Sequence, residues 1–424
     1  MANTIQPNPD QAAALEELLT FIAGNEQSFV LKGKAGTGKT TVIGLLEARL
    51  AEFKELKDKL GVSIGSYDYK FLYAAATNKA AEALSYATGQ EAGTIHRIFN
   101  ISMFTDFQAN PPRQVSYIHK KKGPLPPHIV VVDEASYVDQ HLLDLIMKQG
   151  KNCKLIFMGD PAQLPPVGSS ETPVFVQGFP QYELKQVMRQ KAGTLVSDLC
   201  ANVRNAVENQ TKLTPFTKGE DIVHLDQAGF NQAVYKEFGR DDWESGDSVI
   251  LAYTNNVVNY YNNELMGLIK GRKDFKQGDY ALVNRYVMSL CGKHSCKTES
   301  TVLLRQVRRH VKNYGPIRVD GFLINIAGAS YFLPKDPKDR DRVMKYGQES
   351  MNLNITQEAM DCFIDLRPLY ACTVNKSQGS TFDTVYIDLN DFEKVNSRDL
   401  RMRLLYVAVS RARNKIVFTG NLKL

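Results

Sequence analysis

Gly33-Lys34-Ala35-Gly36-Thr37-Gly38-Lys39-Thr40 fits the pattern G-x-x-x-x-G-K-[ST] without a mismatch. Ser28-Phe29-Val30-Leu31 before it is apolar and β-prone. Thr41 to Leu50 after it places Val42, Leu45, Leu46 and Leu50 near helical spacing. Strand, glycine-rich loop and helix in that order let backbone N–H groups wrap a phosphate at a helix N-terminus. Gly33, Ala35, Gly36, Thr37, Gly38, Lys39, Thr40 and Thr41 are therefore the candidate ATP-phosphate residues. Lys39 is expected to reach the outer phosphates and the Thr40 hydroxyl to hold Mg²⁺.

The chain has 424 residues, room for two to four domains, and 43% are hydrophobic, ordinary for a globular protein. No run reaches the roughly 18 apolar residues of a membrane span. Met1 to Asp10 is polar with two prolines, unlike a secretory leader. A formal charge of +6 suits a polyanionic partner without demanding one. The six cysteines are scattered, as for reduced thiols in a cytoplasmic compartment. Cys291, His294 and Cys296 cluster, but a zinc knuckle needs a fourth ligand and none lies nearby, so free thiols are expected.

Two further strands end in polar residues that suit a ligand. Ile129 to Val132 is wholly apolar and ends in Asp133-Glu134. Asp133 is placed to hold Mg²⁺ and Glu134 to polarise an attacking water. Lys154 to Met158 ends in Gly159-Asp160-Pro161-Ala162-Gln163, where Gln163 is a candidate γ-phosphate sensor, although Gly-Asp-Pro is also plain turn chemistry. Asn8 caps a helix from Pro9, and Gln11 in its first turn can pair with an adenine edge or simply face water. Phe71 to Ala76 runs into Thr77-Asn78, a natural N-cap at the carboxyl end of a strand, and His96 follows.

Ile98 to Pro127 breaks this rhythm with Phe104, Phe107, Tyr117 and two Pro-Pro pairs, read as a hairpin-like insertion. From Tyr182 a second α/β unit begins, and Val249 to Tyr253 followed by Thr254-Asn255-Asn256 repeats the plan around Thr77 without a second phosphate loop. Lys270 to Leu366 loses the alternation again and reads as a β-rich, partly basic insertion, with Lys335 to Lys345 a solvated face or loop. The expected organisation is a first α/β domain at 1–97 and 128–180, an insertion at 98–127, a second α/β domain at 181–269 and 367–424, and an insertion at 270–366. Arg189 and Arg411 in the second domain are candidate fingers for charge on the γ-phosphoryl oxygens.

In order, Gln11, the phosphate loop, Ala76-Thr77-Asn78-Lys79-Ala80, Asp133-Glu134-Ala135-Ser136, Gly159 to Pro166, Val187-Met188-Arg189, Lys376-Ser377-Gln378-Gly379-Ser380-Thr381 and Tyr406 to Ala412 resemble the motifs of superfamily 1 helicases. The pattern is most similar to the RecD-like, Dda-like 5′→3′ branch, and its compactness resembles phage members. The resemblance implies two RecA-like domains with ATP between them and single-stranded DNA across their tops. It implies adenine contact at Gln11, nucleotide contact at Gly379, and phosphate sensing at Gln163, Arg189 and Arg411. Strand contacts are implied at Thr77, Asn78, His96, Asn255, Asn256 and Ser377. It also implies that the first insertion is a duplex-splitting pin with Phe104 or Phe107 at its tip, and that the second is SH3-like. A monomer acting on single-stranded and forked DNA, meeting single-strand-binding or replisome proteins, in the host cytoplasm if phage-encoded, is the corresponding biology. Asn375 and Asn78 stand where the branch usually has His, and so lose a ring that could stack on a base. The competing expectations are an RNA helicase of the same superfamily and an ATP-gated nucleic-acid remodeller that does not unwind.

Overall fold

The computed structural model describes residues 6–34, 36–60, 70–106, 113–118, 123–166, 168–169, 171–186, 194–213 and 218–421. Side chains at 56–60, 104–106 and 113–114 lie outside the described set.

Helix Pro9–Ala23 starts where Asn8 predicts. Its Oδ1 accepts from Gln11 N (2.8 Å) while Asn8 N donates to Gln11 Oε1 (3.2 Å), a reciprocal cap. Behind it lies a six-stranded parallel sheet in the order Ala92–Thr94, Lys70–Ala75, His128–Asp133, Lys154–Gly159, Ser28–Gly33, Gln181–Leu184. Its central strands are continuous runs of Val, Ile, Leu and Phe because helices cover both faces. The carboxyl ends of His128–Asp133, Lys154–Gly159 and Ser28–Gly33 are adjacent, which brings Asp133, Gly159 and the glycine loop to one edge.

A second, five-stranded parallel sheet runs Ala371–Thr373, Ser248–Ala252, Phe382–Asp388, Ala412–Thr419, Ile222–Leu225. Strand Gln181–Leu184 corrects the expected boundary at residue 181. It pairs with Ser28–Gly33, from Val30↔Gln181 to Gly33↔Leu184, and so belongs to the first sheet. Helix Leu195–Glu208 packs Val196, Leu199 and Val203 into the second core, so the chain changes domain between Leu184 and Leu195.

The first insertion contains an antiparallel hairpin, Ile101–Asp106 against Arg113–Ile118. The second has the strands Tyr280–Val283, Thr301–Leu303 and Leu366–Arg367 in one small sheet, and Gln306–Tyr314, Ile317–Ile326 and Ala329–Pro334 in another. It is not β-structure alone. Helices Lys338–Glu349 and Leu353–Cys362 pack as a pair, so most of Lys335 to Lys345 is helix rather than loop, and its residues are mainly exposed, as a solvated face. Val343 of the charged stretch is fully buried, beside Ala359, Phe332 and Phe363. Gly347 permits the close approach, since a Cβ there would stand 2.4 Å from Thr356 Oγ1. Among the described residues no helix is long and apolar enough to cross a membrane, and the six cysteines are free thiols.

Candidate nucleotide and nucleic-acid site

The phosphate loop is held open by its glycines. Gly36 (φ 83°) and Gly38 (φ 86°) occupy left-handed backbone that a side chain resists. A Cβ on Gly33 would fall 2.6 Å from Thr37 Oγ1, and one on Gly38 would fall 2.3 Å from Gln11 Nε2. The Gln11 amide is buried against the loop rather than solvated. Lys39, opening helix Lys39–Leu60, donates from Nζ to Gly33 O (2.6 Å) and Lys34 O (3.1 Å), and Thr37 Oγ1 also donates to Lys34 O (3.0 Å). The ammonium thus stands inside the cradle. Thr40 and Thr41 follow in the first turn, half-buried; Ala35 lies outside the described residues.

Asp133 ends its strand with Oδ1 accepting from Glu134 N (2.9 Å). Glu134 has φ 53° and ψ 45°, strained backbone for a non-glycine residue. Burial raises the Asp133 pKa, and the Lys39 ammonium opposes the rise. Burial and the neighbouring Asp133 raise that of Glu134, against Arg411 and Lys39. Two carboxyls and two cations from both domains therefore share one cleft. Gly379 (φ 76°) closes it from the second domain, where an added Cβ would lie 3.9 Å from Glu134 Oε1. Arg411 is buried and donates to Val407 O (3.0 Å), Ser380 O (3.2 Å) and Ser410 Oγ (2.8 Å). Arg189 lies outside the described residues. The Thr40 hydroxyl and Asp133 carboxylate offer the all-oxygen donors that a hard divalent cation prefers, and the glycine cradle has no room for side chains.

The Gly159-Asp160-Pro161-Ala162-Gln163 turn is the mechanical link between the domains. Ala162 and Leu164 are buried in the second domain's core. Gln163 Oε1 accepts from Gln378 Nε2 (3.1 Å), and Arg403 Nη1 donates to Pro161 O (2.6 Å) and Gln163 O (3.1 Å). Asp160 accepts from Tyr406 Oη (2.6 Å) and faces Arg204 Nη2 at 3.6 Å. Tyr137 Oη donates to Asn375 O (2.8 Å). Tyr406→Phe should therefore strip a buried carboxylate of a donor and destabilise the protein by about 1–3 kcal/mol. A lower urea midpoint at unchanged slope is the expected result, and an unchanged midpoint contradicts it.

The expected strand contacts divide. Thr77 caps helix Asn78–Thr88, its Oγ1 accepting from Ala80 N (3.1 Å), and Thr254 caps Asn255–Lys270 in the same way. The two turns occupy matching places after Lys70–Ala75 and Ser248–Ala252, with Asn78 half-buried and Asn255 and Asn256 exposed. Two of the expected residues are engaged within the protein. Ser377 is buried and its hydroxyl donates to Val374 O (2.7 Å). His96 Nε2 lies 2.9 Å from Ser116 Oγ on the hairpin, and burial lowers its pKa against the opposing Asp139 carboxylate. It ties the first insertion to its domain. Phe107 lies outside the described residues, as does the side chain of Phe104 on the hairpin's first strand.

Residues 6–224, more than half of the chain, match the family described as an AAA domain, and residues 368–419 match the UvrD-like helicase C-terminal domain. The ATP-dependent RecD2 DNA helicase of Deinococcus radiodurans is 30% identical over 185 residues, 43% of this chain and 22% of that protein. The ATP-dependent DNA helicase Dda of Enterobacteria phage T4 is 28% identical over 211 residues, 48% of this chain and 44% of that protein. A Pif1 helicase, from a structural account of forked-duplex unwinding by two coordinating copies, superposes with a TM-score of 0.53 at 16% identity, over 99% of this chain and 93% of that one. The chain belongs to the RecD-like superfamily 1 helicases.

Several contacts that shape this helicase cannot be paired from the sequence. Gln378 stands inside a recognised motif, yet its partner Gln163 is 215 positions away. Arg204, buried on helix Leu195–Glu208, meets Asp160, Glu183 (3.0 Å) and Glu208 (2.6 Å), and reads in the sequence as an ordinary helical arginine. Asp10 accepts from Tyr182 Oη (3.0 Å), Lys185 N (2.7 Å) and Gln186 N (3.0 Å), and so clamps the helicase's first helix to the edge strand.

Proposed function

We propose that this helicase hydrolyses ATP between its two parallel-sheet domains, moves 5′→3′ on single-stranded DNA and parts duplex DNA at a fork. The observation that carries the reading is one cleft receiving Lys39 and Glu134 from the first domain and Arg411 and Gly379 from the second. Lys39 and Arg411 stabilise charge on the transferred phosphoryl group, with Arg189 as a second finger. Glu134 orients and deprotonates the attacking water. Thr40 and Asp133 would hold Mg²⁺, which when bound neutralises phosphate oxygens. Gln11, packed on Gly38, would meet the base.

Opening and closing of this cleft moves the Thr77 and Thr254 turns relative to each other, because the Gln163 turn is embedded in the second core. The Ile101–Ile118 hairpin is the proposed pin. The 5′→3′ direction, monomeric action, meetings with single-strand-binding or replisome proteins and a place in the cytoplasm rest on likeness to the RecD-like branch.

Steady-state ATPase without nucleic acid, with single-stranded DNA and with single-stranded RNA tests the reading. DNA should stimulate hydrolysis strongly. Stimulation by RNA alone would instead mark a site that requires the 2′-hydroxyl.

A further inference from the structure

The junction between the second domain and its insertion is organised around one carboxylate. Asp365, whose side chain is 22% exposed, accepts from Asn284 Nδ2 (2.6 Å) and Arg285 Nη2 (3.3 Å) and lies 3.8 Å from Arg367 Nε. Asn284 N also donates to Asp365 O (2.9 Å). Two of these contacts lead on to the edge where strand residues are expected. Arg367 Nη1 donates to Asn255 Oδ1 (3.1 Å) at the start of helix Asn255–Lys270. Asn284 Oδ1 accepts from the Lys376 ammonium, beside Ser377. Burial and the like charge of Arg367 both lower the Lys376 pKa, so these cations are held together against their own repulsion.

We propose that Asp365 is a positioning residue for nucleic-acid binding: its carboxylate holds Arg285, Arg367 and, through Asn284, Lys376 as a preassembled set of donors for strand phosphates. The proposal rests on the strand-binding reading above. Three like charges gathered at one junction, where Asp365 faces both arginines and Glu299 and Asp365 both act on Lys376, are costly to assemble at the moment of binding. Assembled beforehand, they meet a phosphate without further ordering. The insertion would then act on the strand through the second domain's own motif residues, Asn255 and Lys376.

The sign of one substitution separates this role from that of a surface acid. Asp365→Asn keeps size and shape but makes the chain one unit more positive. If Asp365 were only a surface charge, affinity for a polyanion would stay level or rise. A positioning role predicts the opposite. With single-stranded oligothymidylate as the probe, half-saturation of ATPase stimulation should need roughly 10-fold more DNA, the usual effect of losing a charge-assisted hydrogen bond. The rate at saturating DNA should hold. Asp365→Glu, which restores the charge, should recover much of the loss, and thermal melting should show both variants folded. Equal or tighter DNA dependence in Asp365→Asn overturns the proposal. Absence of any DNA stimulation in the unsubstituted chain overturns the strand-binding reading itself, and the proposal with it.

Discussion

Lys39→Ala is expected to lower the DNA-stimulated rate of hydrolysis by roughly 10³-fold while the chain stays folded. Two losses act together. The ammonium that stands in the cradle, donating to Gly33 O and Lys34 O, is gone. The charge that opposes the raised pKa values of Asp133 and Glu134 is gone as well. Without it both carboxyls hold protons more tightly. The loop itself should survive, because Thr37 Oγ1 still donates to Lys34 O and the glycine geometry does not depend on the lysine. Steady-state ATPase beside a thermal melt checks both halves. Near-normal turnover in a folded variant would remove Lys39 from the site.

Arg411→Ala should keep nucleotide binding and lose DNA-stimulated hydrolysis, also by roughly 10³-fold, the lower end of what an arginine finger supplies. The guanidinium is 3% exposed, anchored on Val407 O, Ser380 O and Ser410 Oγ, and its charge pulls on Glu134 across the domain boundary. Its removal leaves buried carbonyls short of donors, at a cost of about 1–3 kcal/mol. Arg411→Lys keeps a cation in the cleft without the planar fork and should fold well yet stay slow. Nucleotide binding by a fluorescent analogue, read beside ATPase, separates the roles. Full DNA-stimulated turnover in either variant contradicts the finger assignment.

What could be read in the sequence was local chemistry. Gly36, Gly38, Lys39 and Thr40 are fixed by the backbone that a phosphate loop needs. Asp133-Glu134 is conspicuous because it ends four consecutive apolar residues. Thr77 and Thr254 announce helix starts through their own hydroxyls. What could not be read depends on partners far along the chain. Gln181–Leu184 alternates exposed and buried positions too briefly to place itself, and only its pairing with Ser28–Gly33 puts it in the first sheet. The charges of Lys338–Glu349 conceal the buried Val343, its one apolar anchor in the core, and the close approach at Gly347 that together seat the helix. Ser377 looks like a strand contact by motif, but a short helix turns its hydroxyl back to Val374 O. Nothing local to His96 announces its partner Ser116, which the hairpin supplies.

The central claim is that ATP hydrolysis in the cleft drives directional strand separation. Its most direct test is unwinding of a forked duplex carrying either a 5′ or a 3′ single-stranded tail, with ATP and Mg²⁺, beside the Lys39→Ala variant. The account predicts strand separation from the 5′ tail only, lost in the variant. DNA-stimulated hydrolysis with no separation from either tail would contradict it, and would reduce the protein to an ATP-driven remodeller whose Ile101–Ile118 hairpin is no pin.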